Sequence, residues 1–162
     1  MDDHRAKEVQ ESVTSATVVD HLGIAVRSLW DSLHLYRALG MVVSAVEEIA
    51  HERVRVAMLE AGESRIELLE STEDGSAVGR FLVKHGEGLH HVALRVPNLE
   101  ETVAALKRQG VRLVSGAIQR GTGGHRYVFV HPESANGVLL ELVEADGRED
   151  LRRGDSGQGD SI

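Results

Sequence analysis

The sequence contains no cysteine and only two prolines. Without cysteine the chain has no disulfides, no thiolate metal ligands and no cysteine nucleophile, and this composition suits a reducing compartment. No apolar run approaches the length of a membrane span. The polar N-terminal segment resembles neither a secretory signal nor a transit peptide. These absences predict a cytoplasmic protein without a membrane partner.

Positive charge is also scarce. The chain carries 18 Lys and Arg against 26 Asp and Glu, a net charge of −8 with histidines neutral. Such an acidic chain is a poor partner for nucleic acid, because phosphate backbones attract basic surfaces. An anionic small-molecule substrate is still compatible, since a metal ion or a few local basic residues can override the bulk charge.

The 162 residues, 41% of them apolar, are enough for one domain with a sizeable core or for two fused modules. Residues 1–16 and 147–162 are polar and charged and are predicted to be flexible tails. Between them we predict one domain, residues 17–146. It is built from two modules of about 17–72 and 87–146.

The two modules are predicted from an internal repeat. Each half has a histidine, an alternating apolar stretch, an amphipathic segment and a glycine. Gly40 lies as far along the chain from His21 as Gly110 does from His91. Because the elements recur in the same order, each half is predicted to fold as βαβββ.

Local signals support this reading of the halves. Ser28 and Asn98 are placed as helix N-caps, each with a carboxylate three residues later. Trp30, Leu33 and Leu39 are expected near one face of the first helix. The strand-like runs that follow the two helices are 41–47, 53–60 and 64–70 in the first half, and 111–115, 126–130 and 138–144 in the second.

Four strands place one metal-capable side chain each on what is predicted to be a common face. His21 and His91 occupy matched positions of the repeat, opposite the large aliphatic residues that should pack under the helices. Glu67 in RIELLE and Glu141 in LLELVE stand opposite apolar neighbours in the same way. A single strand histidine or glutamate is usually structural, but the recurrence of four indicates a metal centre. Two imidazoles and two carboxylates suit a six-coordinate divalent ion with two open positions.

This repeat, with a ligand on the first and last strand of each half, resembles the vicinal oxygen chelate superfamily. Within it, the segments DHLGIAV, GLHHVALRV and HPESANGVLLEL are similar to the methylmalonyl-CoA epimerase family over approximately residues 18–145. The resemblance implies an α+β vicinal oxygen chelate fold of two tandem βαβββ modules with a curved, metal-holding sheet. It implies His21, Glu67, His91 and Glu141 as ligands of a divalent ion, Co²⁺ first and Ni²⁺, Mn²⁺, Zn²⁺ or Mg²⁺ as alternatives. It also implies a homodimer and a coenzyme A thioester substrate.

The activity that this resemblance implies is interconversion of the (R) and (S) forms of methylmalonyl-CoA through a metal-stabilised enolate. Glu141 is expected to move the C2 proton on one face. Some family members carry a glutamate where this chain has Val56, and a glycine where it has Arg53. The second proton carrier therefore stays open between Glu52, His51 and a water on the metal.

Other functions of the same fold are left open. A lactoylglutathione lyase can carry a similar ligand set, although it usually has an Asp-Pro-Asp-Gly turn where this chain has HPESANG. An extradiol dioxygenase generally uses two histidines and one glutamate. A metal-free binding module of the same fold is the alternative outside enzymology, and the four candidate ligands count against it.

Overall fold

A computed structural model describes residues 17–121 and 124–144. In this part of the chain, eight strands and three helices build one structural unit. The strands are β1 (Val18–Val26), β2 (Val43–Ile49), β3 (Val54–Ala61), β4 (Ser64–Ser71), β5 (Gly88–Val96), β6 (Gln119–Arg120), β7 (Arg126–Val130) and β8 (Leu140–Glu144). The helices are α1 (Leu29–Ala38), α2 (Ala77–His85) and α3 (Leu99–Arg108).

The strands form a single mixed sheet in the order β2-β3-β4-β1-β5-β8-β7-β6, curled into a half-barrel. In each half the first and last strands pair in parallel, β1 with β4 and β5 with β8. The halves join where β1 and β5 pair antiparallel at the centre. The sheet therefore has a pseudo-twofold arrangement, and the predicted α+β vicinal oxygen chelate fold is confirmed.

Helices α1 and α3 begin and end where the sequence predicts. The side-chain oxygens of Ser28 and Asn98 each accept a hydrogen bond from a backbone amide three residues later, which satisfies an otherwise unpaired N–H group. Gly40 and Gly110 follow the helix ends with φ of +79° and +75°, a left-handed conformation that glycine adopts at little cost.

The helices α1 and α3 pack on the convex face of the sheet. Helix α1 buries Leu29 and Leu33 there, whereas Trp30 and Leu39 are 60% and 67% exposed. The expectation for Trp30 and Leu39 was wrong because Trp30 is rotated about 100° from Leu29, and Leu39 is already the C-cap. Helix α3 buries Leu99 and Val103 against β7 and β8.

Helix α2, which the sequence reading did not predict, covers part of the concave face. Its Val78 and Leu82 pack on Val54, Val56 and Leu69 of the curled sheet. The apolar end of the concavity is thereby closed, and its other end stays open above the centre of the sheet.

The predicted strand over 111–115 is the other difference. Only Leu113 forms a bridge there, to Val130 of β7, and a bend at Ser115 and Gly116 interrupts the pairing. The chain returns to the same edge as the two-residue strand β6. The edge strand is thus divided into two short segments that both pair with β7. The order of the strands in the sheet is unchanged.

The predicted tails, residues 1–16 and 147–162, lie outside the described residues. The boundaries of the domain and its modules stay predictions. Among residues 17–121 and 124–144, no helix is long and apolar enough to cross a membrane.

Candidate metal centre

The central strands bring the four predicted ligands together through their register. On each side of the pseudo-twofold axis, a histidine and a glutamate flank one small residue of the strand between them. Because residues that pair across a sheet point to the same face, each histidine and glutamate converge above that small residue. The two sets are His91–Gly23–Glu67 across β5, β1 and β4, and His21–Ala93–Glu141 across β1, β5 and β8.

The donor atoms of these side chains form a compact cluster. The Nε2 atoms of His21 and His91 lie 3.1 Å apart. The Oε2 atom of Glu141 lies 3.2 Å from the first and 3.0 Å from the second, and Glu67 Oε2 lies 3.5 Å from both. With bonds of about 2.1 Å, neighbouring ligands of an octahedral ion lie about 3.0 Å apart. His21, His91 and Glu141 each place a donor atom close enough to hold a divalent ion, and Glu67 lies slightly farther away.

Burial and charge favour a cation at this point. All four side chains are buried. Burial alone would lower the pKa of His21, but hydrogen bonds to Asp20, Glu141 and Glu67 raise it to about 11. Hydrogen bonds to the same two glutamates raise the pKa of His91 to about 8 against the same effect of burial. The paired carboxylates therefore stabilise positive charge between them.

Asp20 orients His21 and was missed by the sequence reading. Its carboxylate accepts a hydrogen bond of 2.8 Å from His21 Nδ1, which leaves Nε2 free to bind an ion. Burial would raise the pKa of Asp20, but the contacts with His21 and Arg65 lower it to about 2. The pairing register skips Asp20 between Val19 and His21, so a β-bulge turns two consecutive side chains inward.

His90 is the pseudo-symmetric counterpart of Asp20. A second register shift, opposite Gly23 and Ile24, leaves His90 unpaired. Its Nδ1 lies 3.0 Å from Nδ1 of His91. Burial and the charge of His91 lower the pKa of His90 to about 4. The neutral ring of His90 therefore accepts a hydrogen bond from the Nδ1–H group of His91. The doubled histidine in the sequence is thus a ligand candidate and its orienting partner.

Asp20→Asn is expected to weaken binding of Co²⁺ by about 10- to 100-fold, because the amide no longer holds a negative charge against the His21 ring. Titration of the metal-free protein with Co²⁺ measures the loss. Asp31→Asn, the same change on the exposed side of α1, serves as the control and should bind Co²⁺ like the wild type. Equal affinity in the two variants would contradict the role of Asp20.

A cavity of about 290 Å³ opens above the donor cluster. Val56, at the position where some family members have glutamate, is buried in its wall and supplies no proton carrier. His51 and Glu52 both line the cavity, as two of the open candidates for the second carrier. The second half of the chain also lines the cavity, through residues that include Tyr127 and Phe129.

Comparison with known proteins agrees with the fold. Residues 20–129 match the Glyoxalase/Bleomycin resistance protein/Dioxygenase superfamily. The chain is 33% identical to the mitochondrial methylmalonyl-CoA epimerase of Mus musculus, over 78% of this chain and 72% of that protein. The methylmalonyl-CoA epimerase structure from Mycobacterium tuberculosis superimposes with a TM-score of 0.79 at 35% identity, covering 88% of this chain and 97% of that one. An epimerase in complex with methylmalonyl-CoA and NH4+ does so with a TM-score of 0.76 at 38% identity, covering 81% and 96%.

The chain therefore belongs to the Glyoxalase/Bleomycin resistance protein/Dioxygenase superfamily. Within that superfamily, the predicted resemblance to the methylmalonyl-CoA epimerase family is confirmed.

Proposed function

We propose that this chain is a metal-dependent epimerase that interconverts the (R) and (S) forms of methylmalonyl-CoA or of a close 2-alkylmalonyl thioester. The observation that carries the proposal is the buried cluster of two imidazoles and two carboxylates at the floor of an open cavity. The similarity to an epimerase solved in complex with methylmalonyl-CoA supports this substrate.

His21, Glu67, His91 and Glu141 would hold the ion. A bound divalent ion supplies a Lewis acid for the negative charge that develops on the thioester oxygen when C2 loses its proton. The protein itself orients the donor atoms, through Asp20 at His21 and through His90 at His91. All four side chains project from paired strands at the centre of the sheet, which favours a fixed donor geometry.

Glu141 is the proposed proton carrier on the lower face of the substrate. It lines the cavity, and its Oε2 already faces both histidines. A carboxylate in this position can accept the C2 proton while the C–H electron pair moves into the enolate. Hydrogen bonds from the histidines lower the pKa of Glu141 although burial raises it, so the group is ionised and ready to accept.

The identity of the ion and the oligomeric state are further parts of this proposal. Co²⁺ is the first ion to test, followed by Ni²⁺, Mn²⁺, Zn²⁺ and Mg²⁺. The homodimer rests on the family resemblance alone, and sedimentation measures it directly.

Proton NMR of methylmalonyl-CoA in D₂O tests the function. We expect Co²⁺-loaded protein to wash out the C2 proton and equilibrate the two epimers well above a no-enzyme control, and metal-free protein to do neither. If metal-loaded protein leaves C2 at the control rate, the substrate is wrong. The hemithioacetal of glutathione and methylglyoxal is then the next compound, because the lyases of this fold also move a proton beside a carbonyl.

A further inference from the structure

A hydrogen bond closes the curled sheet above the metal centre. Glu52, in the turn between β2 and β3, accepts it from the hydroxyl of Tyr127 on β7. These residues are 75 positions apart in the chain and belong to different halves. Both line the cavity, and Tyr127 is only 3% exposed. The bond therefore joins the two rims of the half-barrel on the side that faces the donor cluster.

Tyr127 can form a hydrogen bond with Glu52 whether the Glu52 carboxyl group is ionised or protonated. The Tyr127 hydroxyl also lies 2.9 Å from Oε1 of Gln119. When Glu52 is ionised, the hydroxyl donates to its carboxylate. When Glu52 is protonated, its own O–H donates to the tyrosine oxygen and the hydroxyl proton turns to Gln119.

The Gln119 amide is held in the orientation that this arrangement needs. Its Nε2 donates a hydrogen bond of 2.9 Å to Ser115 Oγ, which in turn donates to the carbonyl of Ala117 at 3.0 Å. Oε1 is thereby left pointing at Tyr127. A group that both gives and takes a proton requires satisfied partners in each state, and this chain of bonds provides them.

We propose that Glu52 is the second proton carrier of the epimerase, acting on the face of C2 opposite Glu141, with Tyr127 as its positioning residue. The inference rests on the proposed function. Glu141 lies in the floor of the half-barrel, on β8, whereas Glu52 lies on the rim, in the turn between β2 and β3. A substrate lying on the floor has one carboxylate below it and the other above. Val56, at the position where some family members carry glutamate, cannot carry a proton.

The charges around Glu52 support this role. Burial raises the pKa of Glu52, and the charges of Glu141 and Glu67 raise it further, whereas Tyr127 and His51 act in the opposite direction. The net effect is a raised pKa, which favours a carboxyl group that can hold a proton and return it. The pKa of Tyr127 is also raised by burial, so its hydroxyl stays protonated and available to donate.

The proposed step balances with no added reactant. Glu141 takes the C2 proton, and the electron pair of the broken C–H bond enters the enolate. Protonated Glu52 then gives its proton to the opposite face, so that its O–H bond breaks and a new C–H bond forms. The enzyme is left with Glu141 protonated and Glu52 ionised, and exchange of these protons with water restores the starting state.

The test follows each single epimer of methylmalonyl-CoA in D₂O with Co²⁺-loaded Glu52→Gln. Glutamine keeps a hydrogen-bonding partner for Tyr127 but carries no exchangeable acid. We expect epimerisation to fall by about 100-fold or more. The epimer whose C2 proton faces Glu141 should still exchange that proton for deuterium without inversion, within about threefold of the wild-type rate, and the other epimer should not exchange.

Tyr127→Phe and Glu60→Gln complete the test. In Tyr127→Phe, which lacks the hydroxyl, we expect the fold-reduction in the epimerisation rate to be about ten times the fold-reduction in the single-epimer exchange rate. A purely structural defect would lower both rates by the same factor. Glu60→Gln makes the same chemical change on the exposed end of β3 and should behave as wild type. Wild-type epimerisation in Glu52→Gln, or equal loss of exchange from both epimers in metal-loaded Glu52→Gln, overturns the inference. Failure of the wild-type protein to act on methylmalonyl-CoA overturns the proposed function instead.

Discussion

Glu141→Gln is expected to slow wash-out of the C2 proton by about a thousandfold for the epimer of methylmalonyl-CoA whose C2 proton faces Glu141. The glutamine amide keeps the shape of the side chain and an oxygen that can face the ion, but it cannot accept a proton. Its loss of negative charge also weakens the cluster, since Glu141 lies 3.0 Å from His91 and 3.2 Å from His21. The rate is therefore measured by NMR in D₂O at saturating Co²⁺, with the bound ion quantified in the same samples.

A control for this variant lies on the same strand. Glu144→Gln makes the identical substitution on the opposite face of β8, where the carboxylate contacts Arg126 at 2.9 Å on the helix side of the sheet. We expect Glu144→Gln to exchange the C2 proton within about twofold of wild type. If Glu141→Gln holds the ion and still exchanges the proton that faces residue 141 at the wild-type rate, another group accepts that proton.

Gly23→Ala is expected to disable the metal centre through a single methyl group. A Cβ atom at this position would lie 2.2 Å from Cε1 and 2.4 Å from Nδ1 of His91, closer than side-chain atoms can approach. The ring has little room to retreat, because His90 contacts its Nδ1 and Phe129 packs edge-on against it at 5.5 Å between ring centroids. We expect at least about a tenfold loss of Co²⁺ affinity and about 1–3 kcal/mol of stability, as for overpacked cores.

Metal titration and thermal unfolding measure these two losses in Gly23→Ala. Gly116→Ala is the matched control, since a Cβ there meets nothing within 4 Å and its backbone needs no left-handed conformation. The control should keep wild-type Co²⁺ affinity. Ala93, the counterpart of Gly23 across the pseudo-twofold axis, already carries a methyl group beside His21. Normal Co²⁺ binding by Gly23→Ala would therefore show that His91 can be accommodated beside a methyl group as His21 is beside Ala93.

The sequence was sufficient for whatever depends on local periodicity. Strand alternation placed His21 and Glu67 on the face away from the helices, and the repeat paired them with His91 and Glu141. The helix caps were equally readable, because a cap is formed within a few residues of its helix. An internal repeat shows which positions of two distant segments are equivalent, so it predicts a relation between residues that are far apart in the chain.

The errors and omissions arose where distant segments interact. Helix α2 was overlooked between two regular modules, although Ser76 caps it by accepting a hydrogen bond of 2.8 Å from Gly79. The broken edge strand around Leu113 follows from how β7 is paired, which no pattern in residues 111–115 reveals. Residues 111–115 thus have the composition of a strand, but they do not pair with β7 as a continuous strand.

The sequence by itself determined the repeat, the α+β fold and the four residues that face the centre of the sheet, because these follow from alternation along each strand. Only the tertiary structure decided how the site is supported. Asp20 and His90 reach the ligand histidines because bulges between β1 and β5 break the alternation that would have turned them away. Glu52 reaches Tyr127 because the sheet curls until its two rims meet. Bulges and curl are properties of paired strands, so a single strand read alone contains neither.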